Sequence, residues 1–117
     1  MIDKIPLQGI PLYGIMKIKA HTMAIRSFRD KDIENFFLNE KVGKKIKWAF
    51  LASIAKRKLD MLHYAKDLMD LRSPPSNCLE SLKGNLNGYY SIRINIQWRI
   101  VFKWDNQPYD VDIVDYH

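Results

Sequence analysis

The chain has 117 residues, 47% of them hydrophobic, which suffices for one buried core and not for two. Its formal net charge of +6 favours a polyanionic partner, although a charge of that size is also ordinary for a small soluble domain. A single cysteine, Cys78, excludes an internal disulfide and does not complete a zinc site with three scattered histidines, and no apolar run approaches the roughly 20 residues of a membrane span.

Residues 1–22 read as an irregular N-terminal arm. Pro6, Gly9, Pro11 and Gly14 interrupt its apolar residues and break any signal-peptide core, so the expectation is a cytoplasmic protein. The arm is expected either to cover a sheet edge or to precede a functional start at Met23. Ala24–Phe28 predicts a short first strand. Asp30 is a good N-cap for a helix to about Leu38, with Ile33, Phe36 and Phe37 at helical spacing. Gly43 interrupts, and a longer helix is expected from about Lys45 to Leu62. Its apolar stripe is Ile46, Phe50, Leu51, Ile54, Ala55, Leu59 and Leu62. Lys44, Lys45, Lys47, Lys56, Arg57 and Lys58 form the other face, read mainly as solvated and secondarily as a phosphate-contacting flank. Ala65–Leu71 predicts one or two further turns docked through Leu68 and Leu71, and Pro74-Pro75 closes the helical half.

After Leu79 the chain has β character. The even positions Tyr90, Ile92, Ile94, Ile96, Trp98, Ile100, Phe102 and Trp104 alternate for longer than one ordinary strand, which predicts a hairpin. Keeping the even residues on one face requires paired positions to sum to an even number. A three-residue loop satisfies this by setting Ile94 against Trp98 and Ile92 against Ile100. The same register sets Arg93 against Arg99 on the odd face. Like charges so placed are destabilising, which favours an anion between them over two arginines that splay into solvent or pair with carboxylates. An Asp105–Pro108 turn leads to a last strand over Tyr109–Val114, which brings Asp115, Tyr116 and His117 to the sheet margin.

Lys83, Arg93, Arg99, Tyr116, Asp115 and His117 are thus expected near one small sheet. These residue types suit metal-free cleavage of a phosphodiester. Histidine titrates near neutrality, arginine and lysine stabilise phosphate oxygens, and tyrosine donates a proton or stacks on a base. Residue types alone do not rank cleavage above RNA binding. No cofactor or metal is expected.

The segment from Ile25 to His117 resembles the HigB branch of the RelE/ParE toxin superfamily. The resemblance rests on Arg26-Ser27-Phe28, Arg57-Lys58-Leu59, Asp70-Leu71-Arg72-Ser73-Pro74-Pro75, Leu79-Glu80-Ser81-Leu82-Lys83-Gly84, Gly88, Tyr90-Ser91-Ile92-Arg93-Ile94-Asn95, Gln97-Trp98-Arg99-Ile100 and Asp112-Ile113-Val114-Asp115-Tyr116-His117. It implies an α+β fold, with two or three helices packed on a small antiparallel sheet in a toxin domain over 23–117. It also implies a ribosome-dependent mRNA endonuclease acting in the A site. Lys83 and Arg99 match phosphate-stabilising positions. Tyr116 and His117 match positions for substrate placement and acid–base work, with Asp115 in support and Arg93 and Gln97 beside them. Where some members have a histidine three residues before the lysine, this chain has Glu80, so Glu80 substitutes or His117 carries more of the proton transfer. The implied partners are a HigA-type helix-turn-helix antitoxin, the ribosome and mRNA, with operator DNA reached through the antitoxin complex. A ParE-like inhibitor of DNA gyrase and a weakened toxin serving as an antitoxin-binding module are the alternatives.

Overall fold

The structure is a computed structural model and describes residues 25–43 and 45–116. The readings made for residues 1–24, Lys44 and His117 lie outside the described residues. Among the described residues, two α-helices, α1 (Lys31–Asn39) and α2 (Ala52–Tyr64), precede an antiparallel sheet of β1 (Glu80–Ser81), β2 (Tyr90–Arg93), β3 (Trp98–Trp104) and β4 (Pro108–Asp115). Strand order in the sheet follows chain order, so this is a meander and the class is α+β.

Helix α1 begins as its sequence dictates. The Asp30 carboxylate accepts from the Asp32 backbone N–H at 2.7 Å, and the helix buries Ile33 and Phe36. Helix α2 starts later than its periodicity suggests. Lys45 and Lys47 are not helical, a 3₁₀ turn spans Ala49–Leu51, and the helix proper begins at Ala52. The cause is tertiary. Trp48 is buried with its ring edge-on to Phe36 at 5.0 Å, and the turn Ala49 N–H to Ile46 carbonyl replaces a helical bond. Phe50, expected on the apolar stripe, is therefore 72% exposed. Ala55, Leu59 and Leu62 do face the core, and burying each leucine stabilises by roughly 1.5–3 kcal/mol. The expected turns before the prolines form as a 3₁₀ helix over Leu68–Arg72, with Leu71 buried.

The hairpin has the expected register. Tyr90 pairs with Phe102, Ile92 with Ile100 and Arg93 with Arg99, and the Ile94 N–H donates to the Trp98 carbonyl at 2.9 Å. Ile92, Ile94, Trp98, Ile100 and Phe102 are buried on the helix side, whereas Ile96 sits at the hairpin tip and is 81% exposed. The Asn95 carboxamide oxygen accepts from the Gln97 and Trp98 N–H groups, which fixes the tip.

The segment predicted as a first strand is extended but carries one isolated bridge, Phe28 to Val111, parallel to β4. Hydrogen bonds from Arg26 N to Pro108 O, Val111 N to Ser27 O and Arg29 N to Val111 O lay it along the β4 edge. The irregularity has a local cause: β4 is bulged opposite Val101–Lys103, and Asp110 takes a left-handed φ of 52°. The Ser27 hydroxyl meets this bulge by accepting from the Asp110 N–H at 2.9 Å. Beyond the bulge, Arg99 lies opposite Val114 and Trp98 opposite Asp115.

A candidate RNA-cleaving site on the odd face of the sheet

Arg99 is the centre of the sheet face turned away from the helices. Its side chain is only 12% exposed, so its charge needs partners inside the protein. Nη1 donates to the hydroxyl of Ser91 at 2.9 Å and to the carbonyl of Cys78 at 3.2 Å. Ser91 is completely buried and stands two residues along the β2–β3 ladder from the Arg93–Arg99 pair, on the same face. Cys78 presents its carbonyl from a left-handed turn, with φ 48° and ψ 51°, directly after the 3₁₀ turn Pro75–Asn77. The second terminal nitrogen, Nη2, lies 3.8 Å from a carboxylate oxygen of Glu80 on β1. The guanidinium carbon also lies 5.1 Å from the centre of the Tyr116 ring, within cation–π range. The Tyr116 hydroxyl reaches the other Glu80 oxygen at 3.3 Å.

The chain end is tied to the hairpin tip. The Tyr116 N–H donates to the Gln97 carbonyl at 2.6 Å, and the Gln97 side-chain amide donates to the Asp115 carboxylate at 3.0 Å. Tyr116 thereby reaches the Arg99 side, while Asp115 pairs across from Trp98 on the helix side and braces the tip.

Arg93 lies across from Arg99 as expected, and the two side chains turn to different acceptors. Arg93 turns to the Asn95 carbonyl at 3.2 Å and to the Cys78 sulfur at 3.9 Å. Arg99 turns to Ser91, Cys78 and Glu80. Separate acceptors relieve the like-charge pairing.

Glu80, Arg99, Tyr116, Gln97 and Asp115 are thus brought into one connected group, with Arg93 on its flank. Lys83 stands apart. It is exposed, begins the 3₁₀ turn Gly84–Leu86 past the end of β1, and makes no side-chain hydrogen bond or ion pair among the described residues. The register Ser81–Tyr90–Phe102 carries it towards the end of the ladder opposite to Arg93 and Arg99. Further along this face Tyr89 lies between the Lys103 ammonium and the Arg29 guanidinium, at 5.1 and 5.5 Å. No group of three His, Cys, Asp or Glu side chains among the described residues could hold a metal ion. No helix among them is long and apolar enough to cross a membrane.

Sequence reasoning missed Ser91, the Cys78 carbonyl and the polar pair beneath them. Lys58, read as part of a solvated face, is 5% exposed, and its ammonium donates to the Asn77 side-chain oxygen. Asn77 is fully buried, and its amide donates to the Leu71 and Ser73 carbonyls at 3.1 and 3.3 Å. Burial pushes the Lys58 pKa below the usual lysine value, and the neighbouring Arg57 charge lowers it further, against a raising effect from Cys78. A serine within a β-strand alternation was the available signal for Ser91. Nothing local marks Asn77.

Known proteins resemble this chain over most of its length. The profile of the HigB-like toxin family, described as RelE-like toxins of the type II toxin–antitoxin system HigB, matches residues 26–117. Toxin HigB-1 of Vibrio cholerae is 42% identical over 77 residues, covering 66% of this chain and 80% of that protein. An uncharacterized Haemophilus influenzae protein is 38% identical over 90 residues, covering 77% of this chain and 88% of its own length. Among solved structures, the YoeB–YefM complex from Staphylococcus aureus aligns with a TM-score of 0.49 at 25% identity, over 80% of this chain and 97% of the matched chain. With the family profile spanning the helices, the sheet and the Arg99 site, the chain belongs to the HigB-like family of RelE-like toxins of type II toxin–antitoxin systems.

Proposed function

We propose that this toxin is a ribosome-dependent mRNA endonuclease that cleaves translated mRNA in the A site and so inhibits translation. The observation that carries the reading is Arg99, held on its inner side by Ser91 and Cys78 and bordered on its outer side by Glu80 and Tyr116. A scissile phosphate entering there meets Arg99 Nη2, whose charge is aimed at the oxygens that gain negative charge in the transition state. The 2′-hydroxyl attacks phosphorus, the new O2′–P bond forms and the P–O5′ bond breaks. Glu80 accepts the 2′ proton, and His117 protonates the departing 5′ oxygen. Tyr116 positions the nucleotide through its ring and hydroxyl. Asp115 and Gln97 hold Tyr116 in place. Lys83 and Arg93 supply further charge to the RNA backbone, and the residues named require no metal for these steps.

The same reading assigns the toxin to the cytoplasm with a HigA-type helix-turn-helix antitoxin as partner. The complex of the two binds operator DNA through the antitoxin. The toxin domain spans 23–117, and comparing toxicity from Met1 and Met23 tests that boundary.

Expression of the full chain is expected to arrest growth and to produce codon-phased 5′ ends in translated messages. Deleting His117 alone is expected to relieve the arrest while antitoxin binding persists. Equal toxicity without His117 would remove it from the mechanism. DNA breaks with intact mRNA would replace the reading with gyrase poisoning. A weakened toxin is the second reading, favoured by Glu80 engaging both Arg99 and Tyr116, where a phosphate would bind. Antitoxin binding without growth arrest would support it.

A further inference from the structure

Arg99 donates to a backbone carbonyl, and the turn that presents this carbonyl is bonded to a buried polar pair, Lys58 and Asn77. Asn77 lies immediately before Cys78. Its backbone N–H bonds to Pro74 O at 2.9 Å, and the Cys78 N–H bonds to Pro75 O at 3.0 Å. Its side chain is used at both ends: the oxygen takes the Lys58 ammonium from α2, and the amide reaches the carbonyls of Leu71 and Ser73. Helix α2, the 3₁₀ helix Leu68–Arg72 and the proline turn therefore converge on one amide. The next residue, Cys78, adopts the left-handed region, and its carbonyl meets Arg99 Nη1.

We propose that Lys58 and Asn77 are positioning residues for Arg99. By fixing the 74–78 turn they hold the Cys78 carbonyl against Nη1. Ser91 and Cys78 then occupy that nitrogen together, and Nη2 is left for the scissile phosphate. This deepens the endonuclease reading and rests on it for its catalytic consequence. Its structural half stands alone, because the turn and the guanidinium can be observed without RNA.

The variant is Lys58→Met, which keeps the aliphatic stem in the core and removes the ammonium. Asn77→Asp is the companion. It keeps an oxygen for Lys58 and removes the amide donors, and it serves if Lys58→Met does not fold. The first measurement is NMR of the Arg99 guanidinium in the isotope-labelled full-length toxin without RNA. Wild type is expected to show slowed Nη rotation and protected Nη protons, and the variants faster exchange. Unchanged Arg99 signals in a folded variant would overturn the proposal, whatever the toxin does to RNA. The second measurement is ribosome-dependent cleavage, where kcat is expected to fall on the order of ten- to a hundredfold with little change in KM, as for a misplaced catalytic group. In an Arg99→Lys background with measurable residual cleavage, Lys58→Met should add little. A full additive loss there would mean that Lys58 does not act through Arg99. Absence of cleavage by the wild type would reject the endonuclease reading and leave the guanidinium measurement to judge the positioning.

Discussion

Replacing Arg99 by lysine conserves the charge and destroys the geometry, so it separates the two. The guanidinium spans neutral acceptors on one side, at 2.9 and 3.2 Å, and a carboxylate on the other, at 3.8 Å. A lysine ammonium is a point charge on a flexible stem and cannot serve both sides in a fixed plane. If it stays inside on Ser91 and Cys78, the phosphate loses its charged donor. If it turns outward, the completely buried Ser91 hydroxyl and the Cys78 carbonyl are stranded. Stranding one buried group costs about 1–3 kcal/mol. At the low end, about 1 kcal/mol, Tm falls by about 4–8 °C in a domain of this size. Losing a preorganised donor to the transition state costs about 10²–10³ in kcat, or about 2.7–4 kcal/mol. The assay is single-turnover cleavage on programmed ribosomes, alongside thermal unfolding followed by near-ultraviolet circular dichroism. Arg93→Lys is the control, because Arg93 is held to Asn95 and Cys78 and does not touch Glu80 or Tyr116. Its expected loss is under about tenfold, because the charge that contributes to binding is kept. Arg99→Lys cleaving within about threefold of wild type, with unchanged Tm, would refute the reasoning.

Glu80→Gln is expected to lower kcat by about 10²–10⁴ if the carboxylate takes the 2′ proton, while RNA binding tightens because a negative charge leaves the phosphate site. Undiminished single-turnover cleavage would remove Glu80 from proton transfer. His63 gives a stability prediction. Burial lowers its pKa below the ordinary value of 6.5, opposed by Asp60 and assisted by Lys56, and its Nδ1 accepts from the Ile25 N–H at 3.2 Å. The unfolded chain thus binds the proton more readily, and the stability contribution, present above 6.5, is lost as pH falls through the lowered folded value. His63→Gln should flatten this slope, and parallel wild-type and variant Tm curves would disprove the assignment. Asp112 works in the opposite sense. Burial raises its carboxyl, partly offset by the Ile113 N–H and Arg29 and assisted by Asp30, so its contribution falls as pH rises through the raised value. The wild-type-minus-variant difference removes that background. In the core, Phe102→Ala should cost about 3–5 kcal/mol, while Phe50→Ser should stay within about 0.5 kcal/mol by denaturant unfolding. Comparable losses at both positions would contradict the burial of one and the exposure of the other.

The parts of the fold that could be read from the chain are those in which one physical constraint acts locally. The hairpin register follows from parity, because a one-residue slip would move Ile92, Ile100 and Phe102 off the core. The start of α1 follows from Asp30. The start of α2 does not follow from periodicity, because Trp48 gains more by packing on Phe36 than by extending the helix. Ile46 and Phe50 keep helical spacing without a helix between them. The same limit applies to Lys58. The two residues before it are charged, and its partner, Asn77, arrives from a turn beyond two prolines. At the site, residue types pointed to Arg99 and Tyr116, and the family resemblance pointed to Glu80. The acceptors that orient Arg99 are a serine hydroxyl and a backbone carbonyl, and a carbonyl leaves no trace in the side-chain alphabet.

The choice of those acceptors bears on what the site can hold. A guanidinium buried against a carboxylate would be neutralised, and a phosphate arriving later would have to displace an internal ion pair at a cost of several kcal/mol. Here the inner partners of Arg99 are neutral, so its burial is satisfied by hydrogen bonds while its charge remains uncompensated on that side. The carboxylate that reaches it is Glu80, on the two-residue edge strand β1, with its side chain 43% exposed at 3.8 Å. At that distance and exposure the pair is weakly coupled and easily hydrated. A phosphate at Nη2 would therefore displace little, and the freed Glu80 carboxylate would remain beside it, as the proposed proton transfer requires. A tight Glu80–Arg99 pair would make the resting site an obstacle to its substrate. The loose pair makes it a placeholder. The two cases differ in salt dependence. A placeholder leaves the full Arg99 charge available to RNA, so Arg99→Gln should reduce the slope of log affinity against log salt by about 0.7 for single-stranded RNA. An unchanged slope would mean that Glu80 already cancels Arg99.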